Sequence, residues 1–197
     1  MQPGKKAVLL DMYGVIVKQT GDDFVPYIQK TFPHLTEKEI YTPWLKADIG
    51  EMTSLEVWAA LGFQGDLEKI EKQYLDTIQL NDGFLEFIKA IKQQYKLAII
   101  SNDSSRWSRY LREKFQLNQY FDAISISGDP RIFALTVEKL GVRPEDCFYI
   151  DDREGNLDTA QKLGMTAILF NSFNSRKIVY NGEMVSSFAQ LLSRLTV

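Results

Sequence analysis

Cysteine and histidine are nearly absent from this chain of 197 residues, which has one of each, Cys147 and His34. One cysteine excludes an internal disulfide, and its place in the apolar run CFYI marks it as a packed strand thiol rather than a reactive one. His34, beside Pro33, reads as a surface residue rather than a catalyst. No uncharged apolar run approaches the roughly 18 residues that a membrane helix needs, so no membrane partner is expected. Residues 1–6 lead into a strand with no signal-peptide pattern, which makes a cytoplasmic address the expectation. The net charge of −3 is spread over both signs, with neither a basic stripe nor an acidic tail. Nucleic acid is therefore not an expected partner. There is no internal repeat and no low-complexity segment.

What the chain does have is a hydrophobic content of 45%, enough for one well-filled core with a small second domain attached. Five apolar runs stand out: Ala7 to Leu10, Leu97 to Ile100, Phe121 to Ile126, Cys147 to Ile150 and Ala167 to Phe170. Most are short and continuously apolar, as strands covered on both faces are. Helical patterns separate them. Phe84, Phe87, Ile88 and Ile91 follow Asp82 as N-cap. Ile132 to Leu140 follows Asp129 as N-cap and Pro130 as first helical residue, and stops at Gly141. Glu154 to Leu163 stops at Gly164 in the same way, and Val185 to Leu195 reads as a closing helix. Asn181 and Gly182 suggest a hairpin between residues 178–180 and 184–185. The alternation predicts an α/β fold, a Rossmann-like parallel sheet of five strands with helices on both faces.

From about Val17 to Asn81 the alternation breaks, and helical patterns appear without a strand. Thr53 and Glu56 form a capping box ahead of Val57, Trp58 and Leu61, and Asp66 to Ile78 reads as an amphipathic helix. The prediction is a core of residues 1–16 and 82–197 with a helical insertion of residues 17–81. The insertion would stand over the carboxyl end of the sheet and could act as a lid. Trp44, Met52 and Trp58 are read as its packing core, and Lys46 as a candidate for reaching a substrate anion.

In a parallel sheet the residues just past each strand become neighbours. That rule gathers Asp11, Ser101 with Asn102, and Asp151 with Asp152. Taken singly, each has an ordinary use as a turn or cap residue. Together, three carboxylates would repel one another unless one took up a proton or a cation joined them. Mg²⁺ is the economical choice, because it prefers oxygen ligands and keeps positions for water and a phosphate oxygen. Ser101 ends its strand just before a helix, where hydroxyl and backbone N–H groups can face an anion. Asp11 then has two possible tasks, metal ligand and nucleophile toward phosphorus.

DMYGV (Asp11 to Val15), AIISND (Ala98 to Asp103) and FYIDDREGNLDTAQKLGM (Phe148 to Met165) resemble the first, second and fourth motifs of the haloacid dehalogenase-like (HAD) hydrolases, in order and spacing. The resemblance covers nearly the whole chain. It implies that Asp11 is the nucleophile and a Mg²⁺ ligand, that the Tyr13 backbone carbonyl is a second ligand, and that Ser101 holds a phosphoryl group, with Asn102 beside it. It also implies that Asp152 binds the metal directly, with Asp151 direct or through water, and that residues 17–81 are the helical cap of one subgroup. Asn156 is read as orienting loop backbone.

Two departures from the family pattern bear on function. Phosphatases of the family usually carry a second Asp two residues after the nucleophile, as general acid and base; Tyr13 stands there, as in 2-haloacid dehalogenases. A phenol with a pKa near 10 is a poor replacement at neutral pH. SGDPRIF (Ser127 to Phe133) resembles the third motif but has no lysine before Asp129, and Arg131 is given no role. The expectation is a Mg²⁺-dependent phosphatase of a small phosphorylated metabolite. A metal-free 2-haloacid dehalogenase and a HAD-fold binding or regulatory protein are the alternatives.

Overall fold

The structure, a computed structural model, describes residues 6–18, 23–129, 131–172 and 180–196. Six strands form one all-parallel sheet: β1 (Ala7–Leu10), β2 (Lys96–Ser101), β3 (Ala123–Ile126), β4 (Cys147–Asp151), β5 (Thr166–Phe170) and β6 (Glu183–Val185), in the order β3-β2-β1-β4-β5-β6. The period of two along each strand sorts the apolar runs onto two faces. Val8, Leu10, Leu97, Ile99, Phe148 and Ile150 join one buried cluster, and Ala7, Leu9, Ala98, Ile100, Cys147 and Tyr149 the other. Helices α5 (Phe84–Ile91), α6 (Ser105–Lys114) and α9 (Phe188–Thr196) cover the first face; α7 (Ile132–Leu140) and α8 (Glu154–Lys162) cover the second.

The sheet has one strand more than predicted. Met184 and Val185, read as a hairpin arm, pair in parallel with Leu169 and Phe170. Three residues are too few for a periodicity to show, and residues 178–179 of the other arm lie outside those described. Two caps also differ. The N-cap of α5 is Gly83, whose φ of 77° suits glycine, while Asp82 pairs with Lys18 at 2.8 Å. Arg131, not Asp129, is the N-cap of α7; Asp129 accepts the Arg131 N–H at 2.8 Å from before the helix, and Pro130 lies outside the described residues. Gly141, at φ 61°, ends α7 as expected.

Between β1 and α5 the described residues form four helices, α1 (Phe24–Gln29), α2 (Glu37–Asp48), α3 (Ser54–Ala60) and α4 (Leu67–Thr77). The Thr53–Glu56 capping box is formed, and Thr36 with Glu39 forms a second ahead of α2. The chain leaves and returns along one seam, where Lys18 N–H donates to Gln79 O and Asn81 N–H to Ile16 O, both at 2.9 Å.

Their packing is continuous with that of the sheet. The Phe24 ring stands 4.6 Å from Trp44, 5.2 Å from Tyr74 and 5.6 Å from both Trp58 and Trp107, and Trp107 belongs to α6. Glu71 of α4 is buried among these rings and accepts from Trp107 Nε1 at 2.6 Å, Trp58 Nε1 at 3.3 Å and Arg106 Nε at 2.5 Å. A buried carboxylate is tolerated there because three donors meet it. Among the described residues, no helix is long and apolar enough to cross a membrane.

Candidate active site

The strand order explains why distant residues meet. The chain runs outward from β1 through β2 to β3, then crosses back to β4 and runs the other way, so a crevice opens at the carboxyl ends of β1, β2 and β4. Asp11 follows β1, Ser101 ends β2, Asp151 ends β4 and Asp152 comes next. A cavity of about 370 Å³ lies there, and Asp11, Tyr13, Ser101, Asn102, Asp152, Arg153 and Asn156 line it from below. Trp44, Leu45, Asp48 and Ile49 of the helical insertion line it from above.

One carboxylate oxygen each from Asp11, Asp151 and Asp152 fall within 4.8 Å of one another, and all three residues are buried. Burial, then the charges of Asp151 and Asp152, push the Asp11 pKa well above the usual carboxylate range, against the Ser101 hydroxyl and the Met12 N–H. Burial and the Asp151 charge raise Asp152 to about 7. Burial raises Asp151 as well, opposed by hydrogen bonds that hold its carboxylate. Those bonds come from Tyr149 Oη, from Arg153 N–H at 2.8 Å and from Asn156 Nδ2 at 2.9 Å. An all-oxygen donor set of three mutually repelling acids fits a hard divalent cation. One acid is held rigid by three donors, as ligating carboxylates commonly are.

Gly14 shapes this set. Its φ is 73°, and a Cβ there would come within 2.6 Å of the Asp152 carboxyl carbon. Gly14→Ala therefore meets both backbone strain and a clash with Asp152. We expect Gly14→Ala to destabilise the protein by about 1–3 kcal/mol and to weaken Mg²⁺ binding at least about tenfold. Calorimetric titration with Mg²⁺ and thermal melting measure the two; unaltered Mg²⁺ affinity would refute the role of Gly14.

Several expectations need adjusting. Asn156 holds the Asp151 side chain, not loop backbone. Trp44 packs in the aromatic cluster as expected but also lines the cavity, and Met52 lines a neighbouring one, so both are more than packing residues. Lys46 is exposed and lines none of the cavities described. Arg131 is ion-paired with Asp129 and 79% exposed, away from the crevice. His34 is exposed, Trp58 and Cys147 are fully buried, all as read from the sequence.

Other residues of the site were given no role by the sequence. Arg153 is the one cation lining the cavity among the described residues, and it lowers the pKa of Asp48, Asp151 and Asp152. Asp48, at the end of α2, accepts from Trp44 Nε1 at 3.0 Å and is raised by burial to about 7. Asn81 Nδ2 donates to Val15 O at 3.1 Å and braces the loop after β1. Nothing in linear order ties any of these to Asp11. The Tyr13 hydroxyl is buried without a hydrogen-bond partner, and burial followed by the Asp103 charge raises its pKa further, so the phenol stays neutral.

A parallel sheet of this order with acids at its switch point defines an α/β protein with a candidate ligand site there, and sequence comparison gives the family. The family model of haloacid dehalogenase-like hydrolases matches residues 5–164. The chain belongs to that family. Among its relatives is the phosphorylated carbohydrates phosphatase of Thermotoga maritima, 23% identical over 92% of this chain and 93% of that protein. A HAD family enzyme of Bacteroides thetaiotaomicron, solved with magnesium and inorganic phosphate, has a TM-score of 0.72 at 20% identity, covering 88% of this chain and 98% of that one. The L-2-haloacid dehalogenase of Xanthobacter autotrophicus, solved with chloropropionic acid covalently bound, has a TM-score of 0.71 at 18% identity, covering 97% and 98%. The two structures share the fold with this chain.

Proposed function

We propose that this hydrolase is a Mg²⁺-dependent phosphatase of a small phosphorylated metabolite in the cytoplasm, with residues 17–81 as a helical cap over a core of 1–16 and 82–197. The observation that carries the reading is the convergence of Asp11, Asp151 and Asp152 within 4.8 Å, which is costly without a cation. Asp11, Asp152 and the Tyr13 backbone carbonyl would hold Mg²⁺, with Asp151 direct or through water. When bound, the ion offsets the charge of the phosphoryl oxygens and of the acids around them.

The chain's own groups do the rest. An Asp11 oxygen attacks phosphorus as the bond to the leaving oxygen breaks, giving an aspartyl phosphate; water then attacks the phosphorus and restores Asp11. Ser101 and nearby backbone N–H groups hold the phosphoryl oxygens, with Asn102 beside them. Tyr13 cannot serve as the acid, since its proton is held more tightly than usual. Asp48 faces the same cavity with a pKa of about 7, suited to exchanging a proton near neutrality.

A second reading has Tyr13 in its favour: a metal-free 2-haloacid dehalogenase in which Asp11 attacks carbon. One panel separates the two. Purified protein receives an aryl phosphate with Mg²⁺ or with EDTA, and a 2-haloacid without metal. Phosphate release that needs Mg²⁺ is the expected result. Halide release that ignores EDTA would establish the second reading, and Mg²⁺ binding with neither product would leave a binding protein.

A further inference from the structure

The helical layer is joined to the core unequally on its two sides. On one side α6 grips α4 along its length. Arg106 reaches Glu68 at 3.3 Å and Glu71 at 2.5 Å, Trp107 Nε1 donates to Glu71 at 2.6 Å, and Tyr110 Oη donates to Asp76 at 2.5 Å. Lys114 Nζ ends the row, donating to the carbonyls of Leu75, Asp76 and Ile78 at 3.0, 2.8 and 2.7 Å. The last turn of a helix leaves such carbonyls without partners, and a positive charge suits that end of its dipole. Residues 106, 107, 110 and 114 share one face of α6 by helical spacing, so one face makes all of these bonds.

Rings reinforce the grip. Trp107 stands 5.5 Å from Tyr74, 5.6 Å from Phe24 and 6.1 Å from Trp58, and all four are buried. Lifting the layer off α6 would bring these rings into water, which opposes separation far more than exposed ion pairs do.

On the other side the layer and the core face each other across a cavity of about 770 Å³. Among the described residues, no hydrogen bond or ion pair joins residues 45–53 to residues 126–129. They meet at Gly128, where a Cβ would stand 2.7 Å from Asp48 O and 3.0 Å from Ile49 Cγ2. Leu45 and Ile49 are 61% and 60% exposed. Gly50 has a φ of 79° with nothing within 4 Å of where its Cβ would be, and the Thr53 capping box begins α3 just beyond. Asp48, Ile49 and Gly128 also line the cavity over the acids, so this contact is the constriction between the two spaces.

We propose that the helical layer stays fixed on α6 and does not lift as one body, and that the crevice opens by displacement of residues 45–53 from Gly128. The lid expected of the insertion thus shrinks to the last turn of α2 and the residues that follow it. This rests on the crevice being the site, not on which reaction occurs there.

The three tryptophans report on the two sides separately. Trp107 Nε1–H is bonded to Glu71 across the grip, whereas Trp44 Nε1–H is bonded to Asp48, at 3.0 Å, in the segment that moves. Hydrogen exchange of the indole protons is followed by NMR, with Trp44→Phe and Trp107→Phe to assign them. In wild type, Trp107 should exchange with the slowest sheet amides, at least about a hundredfold more slowly than Trp44. The amides of Glu51 and Met52, both bonded to Lys46 O, should keep pace with Trp44. Ile49→Cys with Gly128→Cys, joined as a disulfide, should slow Trp44 at least about tenfold, leave Trp107 unchanged and be reversed by reduction. Cys147 is buried and does not compete. If the paired variant fails to fold, the Glu51 and Met52 amides of wild type decide the same point. Trp107 exchanging as fast as Trp44 would mean that the layer lifts as one body; Trp44 as slow as Trp107, or not slowed by the tether, would mean that residues 45–53 do not open. Either result overturns the proposal. The aryl phosphate assay reports on the phosphatase reading alone, so each can fail without the other.

Discussion

Asp11→Asn should lower phosphate release at least about a thousandfold while raising the thermal stability of the metal-free protein. The loss follows from chemistry: an amide is too weak a nucleophile toward phosphorus to replace a carboxylate, and removal of a nucleophile generally leaves only the residual rate that positioning supports. The gain follows from electrostatics. Asp11 is buried, and the charges of Asp151 and Asp152 both push its pKa up, so its ionised form opposes folding. A neutral isostere removes that opposition, worth about 1–4 kcal/mol by comparison with other buried charges. For a protein of this size the corresponding rise in melting temperature is roughly 2–16 °C. Activity assays with Mg²⁺ and melting in EDTA measure the two together. A variant that is inactive because it is unfolded would show the opposite stability change, and an active one would place the nucleophile elsewhere.

Stability without metal should fall as pH rises from about 4 to 7, and added Mg²⁺ should remove most of that fall. The direction follows from the proton count. Asp48 and Asp152 have folded pKa values raised to about 7, so between the unfolded value near 4 and about 7 the folded state holds protons that the unfolded state has released. Stability therefore decreases with pH across that window and levels off above it. A shift of three units is at most about 4 kcal/mol per group. A cation held by these acids needs them ionised, so the stabilising effect of Mg²⁺ should be small near pH 5 and large near pH 8. Melting curves in EDTA and in excess Mg²⁺ across this range provide the measurement. A Mg²⁺ effect that is the same at every pH would mean that the cation does not bind at Asp11 and Asp152.

Much of this site was legible before any coordinates. Asp11, Ser101, Asp151 and Asp152 each end an apolar run, and a parallel sheet brings such ends together whatever lies between. The capping box at Thr53 was readable for a similar reason, since both partners are three residues apart. Strand β6 was not, being three residues long and defined by its pairing with β5 alone. Asp48, Asn81, Asn156 and Tyr149 were equally hidden. Their roles consist of what stands opposite them: an Asp48 carboxyl over the cavity, an Asn81 amide on the loop after β1, two donors on Asp151.

By itself, then, the sequence determined the α/β alternation, the family and the acids that meet at the strand ends, because periodicity and strand-end position are local properties of a chain. The tertiary structure decided how those acids feel one another and what closes over them. Gly14 must approach Asp152 and Glu71 must find three donors, and each of these depends on a distance between residues that the chain order does not contain. Burial and proximity set the pKa values and the cavities, and both exist only once the helical layer has packed against the sheet.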